Sequence, residues 1–466
     1  MKPEAHTIGE LRRSEYLVRP IKSELRRNLI RKLQAGEPLF PGIVGYADSV
    51  IPQLENAILA GQDVVLLGER GQAKSRLVRS LTSLLDEAVP AIAGCEINDN
   101  PYAPICRRCR ELVGELGEDS PIAWLEPEDR YGEKLATPDT SIADLIGEVD
   151  PIKVAEGRYL SDELVIHYGL VPRTNRGIFA INELPDLAER IQVGLLNIIE
   201  ERDVQIRGFR IRLPLDVFVV ATANPEDYTN RGRIITPLKD RFGAQVRTHY
   251  PRTAEDEIAI AEQERVVFDE MPVPVRVPQH MKEIAVEITH LARRHPQINQ
   301  RSGVSVRVTT ANYESLASNA LRRALITGEK EAVARVSDLV AVSASTAGKV
   351  ELDTWDDNDD EQVLDKLVRT SCSNVFRRHF NAHELADMVQ RFDRGGFTVE
   401  VGPLVPAESY AQAIAELPGL DRARQKLDEP PGLPSMAAVL EFVLEGLHLS
   451  KRLNKTALES TSVYGG

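Results

Sequence analysis

Between residues 64 and 250 the chain alternates short apolar runs with stretches of helical period, the pattern of a parallel sheet covered by helices. The strongest runs fall at 64–67, 177–181 and 217–221. Each ends in polar residues, which places candidate chemistry at the carboxyl edge of the sheet, where such folds bind ligands. Ahead of this region, residues 1–36 read as a charged helical lead-in with Ile21, Leu25, Leu29, Ile30 and Leu33 at helical spacing. A break at 40–45 separates it from a second amphipathic helix through Val50, Leu54, Ile58 and Leu59. Residues 251–350 read as all-helical, with 3.6-residue periods over 257–266, 281–294, 310–325 and 329–347. The acidic run 353–361 reads as a solvated linker. After it come a helical piece at 362–392, a short strand pair around 397–401 and, past Pro430-Pro431-Gly432, a final helix at 435–453. Four parts are expected: a lead-in (1–36), an α/β domain (37–250), a helical domain (251–350), and an acidic linker with a small, mostly helical accessory module (351–466).

Composition narrows the class without naming it. A chain of 466 residues is too long for one core, and 42% hydrophobic with 27% charged residues is ordinary for a globular protein. No stretch approaches the roughly 18 consecutive apolar residues of a membrane span. Residues 1–27 are charged throughout and lack the apolar core of a secretory signal, so the cytoplasm is the expected compartment. Four cysteines in this length do not make a disulfide framework. A formal net charge of −14 argues against a nucleic-acid partner, and local basic groups such as Arg107-Arg108, Arg207, Arg210 and Arg212 read as solvated surface arginines.

The run at 64–67 leads into Gly68-Glu69-Arg70-Gly71-Gln72-Ala73-Lys74-Ser75, and then into a helical period through Leu77, Val78, Leu81, Leu84 and Leu85. Strand, glycine turn, Lys-Ser and helix is the layout of a phosphate-binding loop. Glycines let backbone N–H groups turn inward around phosphate oxygens, and the helix aims its positive end at the same anion. Lys74 can reach the outer phosphates and Ser75 can offer a hydroxyl to magnesium, with Arg76 in the first helical turn. ATP with Mg2+ is the expected ligand. Ala73 stands where the second glycine of this pattern normally sits, which is tolerable if it keeps ordinary helical dihedrals.

The run at 177–181 ends in Asn182-Glu183 at the spacing of a water-activating strand. Glu183 would serve as general base, and Asn182, where an aspartate is usual, could hold a magnesium-bound water without adding charge. The third run leads to Asn224, placed to hold the attacking water or to sense the γ-phosphate. In Leu238-Lys239-Asp240-Arg241-Phe242, Arg241 offers fixed, permanently charged donors suited to a phosphate transition state, most naturally across a subunit interface.

With these elements in this order the chain resembles the AAA+ ATPases, and more narrowly the branch of the magnesium-chelatase I subunit and MoxR-type ATPases, over residues 37–350. Two inserts point to that branch. One is a segment between Asp150 and Arg176 that closes with Gly169-Leu170-Val171-Pro172-Arg173-Thr174-Asn175-Arg176-Gly177. The other is an alternating stretch at 204–213, around Gly208, that reads as a β-hairpin. The resemblance implies an α/β P-loop core with hairpin and helical inserts, followed by an all-helical lid. It places Val44 and Gly45 near the adenine, makes Arg241 an arginine finger, and makes Arg307 the sensor arginine of the lid, with Arg301 as its competitor. It further implies a homo-oligomeric ring, expected as a hexamer, that remodels a partner carrying a von Willebrand A-type domain. Alternatives are the motor subunit of a magnesium or cobalt chelatase, a transcription-associated or nucleic-acid-remodelling ATPase, and a slow nucleotide-bound scaffold suggested by Ala73 and Asn182.

Cys106-Arg107-Arg108-Cys109, with Cys95 upstream, has the spacing of a zinc site. A fourth ligand is not evident nearby, so a distant histidine such as His167, or a water, would have to complete it. Cys372 reads as packing.

Overall fold

The computed structural model describes residues 4–149, 165–200, 203–205, 212–224, 233–299, 303–352, 357–381, 383–458 and 461–466. The chain forms two compact units, Met1–His249 and Tyr250–Gly466.

The first unit is built on a sheet of β1 (Val64–Leu67), β2 (Tyr131–Leu135), β3 (Gly177–Asn182), β4 (Val217–Ala223) and β5 (Ala244–Arg247) in the order 5-1-4-3-2, with every pairing parallel. The central strands β1, β4 and β3 are the three apolar runs, and all their residues are buried. The edge strands carry Glu133, Lys134, Gln245 and Arg247 at partly or fully exposed positions, so no apolar run marks them in the sequence. Alternation along β1 sends Val64 and Leu66 to one face and Val65 and Leu67 to the other. The first face packs against α1 (Ile21–Ala35), α2 (Val50–Leu59) and Leu77 and Val78 of α3 (Lys74–Ser80). The second face packs against Ile191, Leu195 and Ile198 of α4 (Glu189–Glu200). A further helix, α5 (Thr236–Arg241), leads into β5. Helix α1, read as lead-in, therefore lies in this core through Ile21, Leu25 and Leu29, whereas Leu33 in its last turn is exposed.

Both predicted inserts are present as stems. Gly147–Val149 pairs antiparallel with Ile166–Tyr168, and Asp203–Gln205 pairs antiparallel with Arg212–Pro214, symmetric about residues 208 and 209. The insert segment 152–164 and the hairpin arginines Arg207 and Arg210 lie outside the described residues, as does Arg301.

The second unit packs α6 (Ala254–Glu264), α7 (Gln279–Ala292) and α8 (Arg307–Thr327) with α9 (Asp357–His379) and α10 (Leu433–Leu449). A Cβ on Gly446 would stand 2.0 Å from the Phe376 ring, so α10 and α9 touch where only glycine fits. Two expectations change. The stretch 329–347 is not one helix: Ala332–Val333 pairs in parallel with Val275–Arg276, and only then come a 3-10 turn (Val336–Ala341) and a short helix (Val342–Ala347). Buried pairs of Arg323 with Asp338 and of Arg335 with Glu441 hold this irregular path. The acidic run is not linker throughout, because α9 begins at Asp357. Carboxylates at a helix N-terminus are favoured by its positive dipole end. Strand Val399–Val401 joins Ser462–Gly465 and Asn454–Ala457 in a three-stranded antiparallel sheet. No described helix is long and apolar enough to cross a membrane.

Beneath the amino ends of β2, β3 and β4 lies a buried ionic knot. Both terminal guanidinium nitrogens of Arg130 bond the Glu24 carboxylate at 2.8 and 2.7 Å, with side-chain exposures of 1% and 2%. Arg130 also donates to the backbone carbonyl of Arg176 at 2.9 and 2.6 Å. Removing one partner of such a pair leaves an uncompensated buried charge, at about 3–5 kcal/mol. Glu24→Gln is thus expected to destabilise the first unit by about that much. The loss should appear as faster hydrogen exchange of the β1 and β4 amides, with the α7 and α8 amides unchanged.

Candidate functional site

The loop between β1 and α3 does what the motif predicts in outline, with one departure in backbone. Gly71 takes φ 75°, the left-handed region that glycine enters freely. A Cβ at Gly68 would stand 1.8 Å from Thr248 Oγ1 and 2.2 Å from Gln72 Oε1, so that glycine permits close packing against the end of β5. Ala73 does not keep helical dihedrals: it caps α3 at φ 55°, ψ 17°. For a residue with a Cβ this conformation costs roughly 1–2 kcal/mol. The loop's internal bonds hold it there. Gln72 Oε1 accepts from Glu69 N at 3.1 Å and from Thr248 Oγ1 at 2.7 Å, and Gly68 N donates to Ala223 O.

Lys74 and Gln72 are buried, while Ser75, Arg76, Arg70 and Ala73 face outward and Glu69 is partly exposed. The Lys74 ammonium donates to the carbonyl of Gly68, to that of Glu69 at 2.9 Å and to Asn224 Oδ1 at 2.6 Å. Asn224 lies just beyond β4, and its amide in turn donates to Glu183 Oε2. Lys74 at the start of α3, Asn224 just beyond β4 and Glu183 just beyond β3 thus form one continuous hydrogen-bond chain. Glu183 itself takes φ 56°, and its N–H donates to Thr222 Oγ1 at 3.1 Å, a turn that directs the carboxylate sideways toward β4.

Asn182 is engaged on both sides. Its amide donates to Glu133 Oε1 at 2.5 Å and its oxygen accepts from Thr222 Oγ1 at 3.3 Å. Glu133, on β2, is also held by Arg79 of α3 at 2.8 and 3.0 Å and by the Tyr131 hydroxyl at 3.1 Å. The Arg79 guanidinium, followed by Tyr131 and Asn182, keeps its carboxyl below the usual carboxylate range against the effect of burial. A carboxylate therefore stands beside the position where Asn182 lacks one. Sequence reading missed it because β2 itself carries no apolar signature.

Val44 and Gly45 are half-buried, and the structure ties them to the loop through Tyr46, whose hydroxyl donates to Gln72 O at 2.9 Å and His249 O at 2.8 Å. Burial pushes the Tyr46 phenol up to about 12, so it remains a donor at any physiological pH. A cavity of ≈ 340 Å³ adjoins, lined by Leu67, Gly68, Glu69, Gln72, Lys239 and Thr248 among others.

Arg241 pairs with Glu200 at the end of α4 and donates to Pro237 O at 3.0 Å; it does not pair with Asp240. Arg307 is the exposed first residue of α8 in the second unit. The three cysteines do converge, and their fourth neighbour is Asp99; His167, on the strand Ile166–Tyr168, is exposed. Cys372 is buried in the second unit's core, as packing requires.

No family model matches the chain. It is 26% identical over 339 residues to the magnesium-chelatase subunit ChlI of Nephroselmis olivacea, with 68% of this chain aligned to 88% of that protein. With the magnesium-chelatase 38 kDa subunit of Rhodobacter capsulatus it shares 29% over 232 residues, 48% of this chain and 60% of that one. It thus spans most of the first relative and about three fifths of the second. Among solved structures, a chain of the BchI–BchD complex of magnesium chelatase is 21% identical, covers 70% of this chain and 98% of its own, and superposes with a TM-score of 0.36.

The left-handed Ala73 yields a graded expectation. Ala73→Gly should keep the fold and raise stability by up to about 1 kcal/mol, since relief of strain is partly offset by a freer unfolded chain. Ala73→Val, β-branched at a left-handed position, should cost about 1–3 kcal/mol. Thermal unfolding with and without ADP gives the order Gly, Ala, Val; an unchanged or inverted order would contradict strain at this residue.

Proposed function

We propose, for a chain that belongs with the AAA+ proteins of the magnesium-chelatase I type, that it binds ATP with Mg2+ at the 68–75 loop, hydrolyses it and uses the cycle to remodel a separate partner protein. The observation that carries this reading is the hydrogen-bond chain from Lys74 through Asn224 to Glu183. Lys74 here rests on two neutral carbonyls and an amide oxygen. A γ-phosphate offers it charged oxygens and about twice the bond strength. Once Lys74 turns to phosphate, the Asn224 oxygen is freed to hold a water, and Glu183, already hydrogen-bonded to the same amide, accepts that water's proton. Magnesium supplies charge neutralisation between the phosphates. Ser75 would offer it a hydroxyl, and Asn182 and Glu133 would hold its waters.

Arg241 fits a finger that serves a neighbouring subunit. Its partner Glu200 is half-exposed, and exposed pairs of this kind are worth about 0–1 kcal/mol, so the guanidinium is readily exchanged onto a phosphate. A ring follows from that assignment, with a hexamer as its expected size. Lys74, Ser75 and Glu183 act within a subunit and Arg241 acts across the interface, with Arg307 as the lid's sensor. The partner, by resemblance to the chelatase branch, is a separate protein with a von Willebrand A-type domain, and insertion of magnesium or cobalt into a tetrapyrrole is one form the work could take. A second reading, a slow nucleotide switch, is favoured by the strained Ala73 and by the uncharged, already engaged Asn182.

Two experiments test the assignment. Glu183→Gln should retain ATP binding and lose turnover by about 10²–10⁴-fold, as expected for a general base. Arg241→Ala should also be inactive alone, yet mixing the two inactive variants should restore ATPase activity, because some interfaces then combine an intact Glu183 with a neighbour's intact Arg241. Lack of restoration, with mixed assemblies confirmed by mass, would rule out the finger in trans. Separately, Glu133→Gln should raise the magnesium concentration for half-maximal activity by about 10-fold, and Asn182→Asp should lower it. Equal magnesium curves for all three proteins would remove Glu133 from the site.

A further inference from the structure

We infer that Cys95, Asp99, Cys106 and Cys109 hold one structural zinc ion, with Asp99 as the fourth ligand that the cysteine spacing alone does not reveal. The three sulfurs and an Asp99 oxygen all lie within 4.8 Å of one another. A tetrahedral zinc with Zn–S of about 2.3 Å sets its sulfurs about 3.8 Å apart, so the group needs to close by only about 1 Å. Four donors this close suit a single ion; an iron–sulfur cluster, whose inorganic core stands between its cysteines, needs them farther apart.

Asp99 supplies the independent evidence. It has no exposed surface, and its Oδ2 accepts from Cys106 N at 3.0 Å, yet its Oδ1 is buried without a hydrogen-bond partner. A buried carboxylate oxygen left unpaired is costly, and natural proteins rarely leave one. The bond from Cys106 N accounts for Oδ2 but not for Oδ1. A cation at the centre of the four donors accounts for Oδ1.

The surroundings are shaped for anionic sulfur. Asp99 N donates to Cys95 Sγ and Cys109 N to Cys106 Sγ, each at 3.4 Å. Cys106 caps the helix Arg107–Leu116 and Cys109 sits in its first turn, so the positive end of ten residues of helix faces the pair. Arg108 ties the same helix back to Gly94 O, next to Cys95. Four protein ligands leave no open coordination position, which marks the site as structural. Metal entry displaces the thiol protons to solvent, so ion binding adds directly to folding free energy.

What the ion would stabilise is visible in the loop it closes. Ile97 O accepts from Asn175 Nδ2 at 3.0 Å, Asn98 O accepts from Arg176 at 3.4 Å, and Asn98 donates to Arg173 O at 2.9 Å. The zinc loop thus clamps the residues that lead into β3, one strand length away from Asn182 and Glu183.

The full chain, purified under reducing conditions without chelator, should contain about one zinc per chain by elemental mass spectrometry. Exchange into Co2+ should give the visible d–d bands of a tetrahedral ion and an ultraviolet thiolate-to-cobalt band. Cys106→Ser should lose the ion. Asp99→Cys should keep one ion and strengthen the thiolate band from three sulfurs to four, which tests the carboxylate as ligand even if the serine variant fails to fold. Zinc below about a tenth of an equivalent, together with no cobalt spectrum in the reduced wild-type chain, would overturn the site. So would a wild-type chain whose cysteines oxidise to a disulfide and which, once reduced, takes up no cobalt. An unchanged thiolate band in Asp99→Cys would overturn the four-ligand set.

Discussion

The first unit depends on how one buried arginine is held. Arg176 precedes β3 at φ 61°, its N–H bonded to Asp216 O and its guanidinium donating to Pro90 O at 2.6 Å. Its own carbonyl is gripped by Arg130, which Glu24 of α1 neutralises. Asp216 in turn accepts from the first N–H of α1 at 2.8 Å. Five segments meet at this point: helix α1, the cysteine loop, and the approaches to β2, β3 and β4. Burial, then the neighbouring Arg130, push the Arg176 guanidinium down to about 10, so it is still charged at neutral pH and must be surrounded by acceptors. Gly177 follows because a Cβ there would stand 2.0 Å from Arg130 O. A buried charge that satisfies carbonyls from several segments at once gives the sheet one register and no cheap alternative.

Fixing the amino ends of the strands fixes their carboxyl ends as well. A parallel strand is a stiff rod of about 3.3 Å per residue, so the positions of Asn182, Glu183 and Asn224 are set once β3 and β4 are anchored and paired. Ala221 stands opposite Ile181 and Val217 opposite Gly177, and this register sets Glu183 level with Ala223, one residue short of Asn224. Preorganisation of this kind would let Glu183 and Asn224 take up the proposed roles of general base and water-holding amide without a search.

Much of this architecture is legible in the chain, and the gaps have physical reasons. Strands β1, β3 and β4 are buried on both faces, so they read as unbroken apolar runs, and the phosphate loop and Glu183 could be placed from them. Edge strands β2 and β5 carry partly or fully exposed polar residues in place of an apolar run, so Glu133 and Thr248 could not be assigned to the site. The phrase Asn175-Arg176-Gly177 could be recognised as a resemblance, but its physical content lies in partners 40 to 86 residues away, which local spacing does not encode. Asp99 was invisible for a similar reason: zinc spacing rules look for cysteine and histidine, and this carboxylate reaches the sulfurs through a turn. The acidic run at 353–361 misled because composition resembles a linker, while its second half serves as a helix N-terminus.

Backbone strain in the first unit follows the same logic. Besides Glu15, the described non-glycine residues with positive φ in that unit are Ala73, Asn98, Arg176 and Glu183. Two of them, Arg176 and Glu183, bracket β3; Asn98 lies in the loop that Arg176 clamps, and Ala73 opens α3 beside Lys74. Each costs of order 1–3 kcal/mol and persists only where neighbouring bonds over-determine it. At the amino end of β3 those bonds are the arginine knot and the cysteine loop; at the carboxyl end they are Thr222 and Asn224. The two ends differ in what could relax them. The knot's charged side chains are buried and fully engaged with one another, which holds it in one arrangement. At the carboxyl edge, Lys74's partners include neutral oxygens that a phosphate would outcompete. Strain is locked where the strand is anchored and releasable at the edge where nucleotide binding is proposed, which is the distribution expected if ligand binding is to move the second end without disturbing the first.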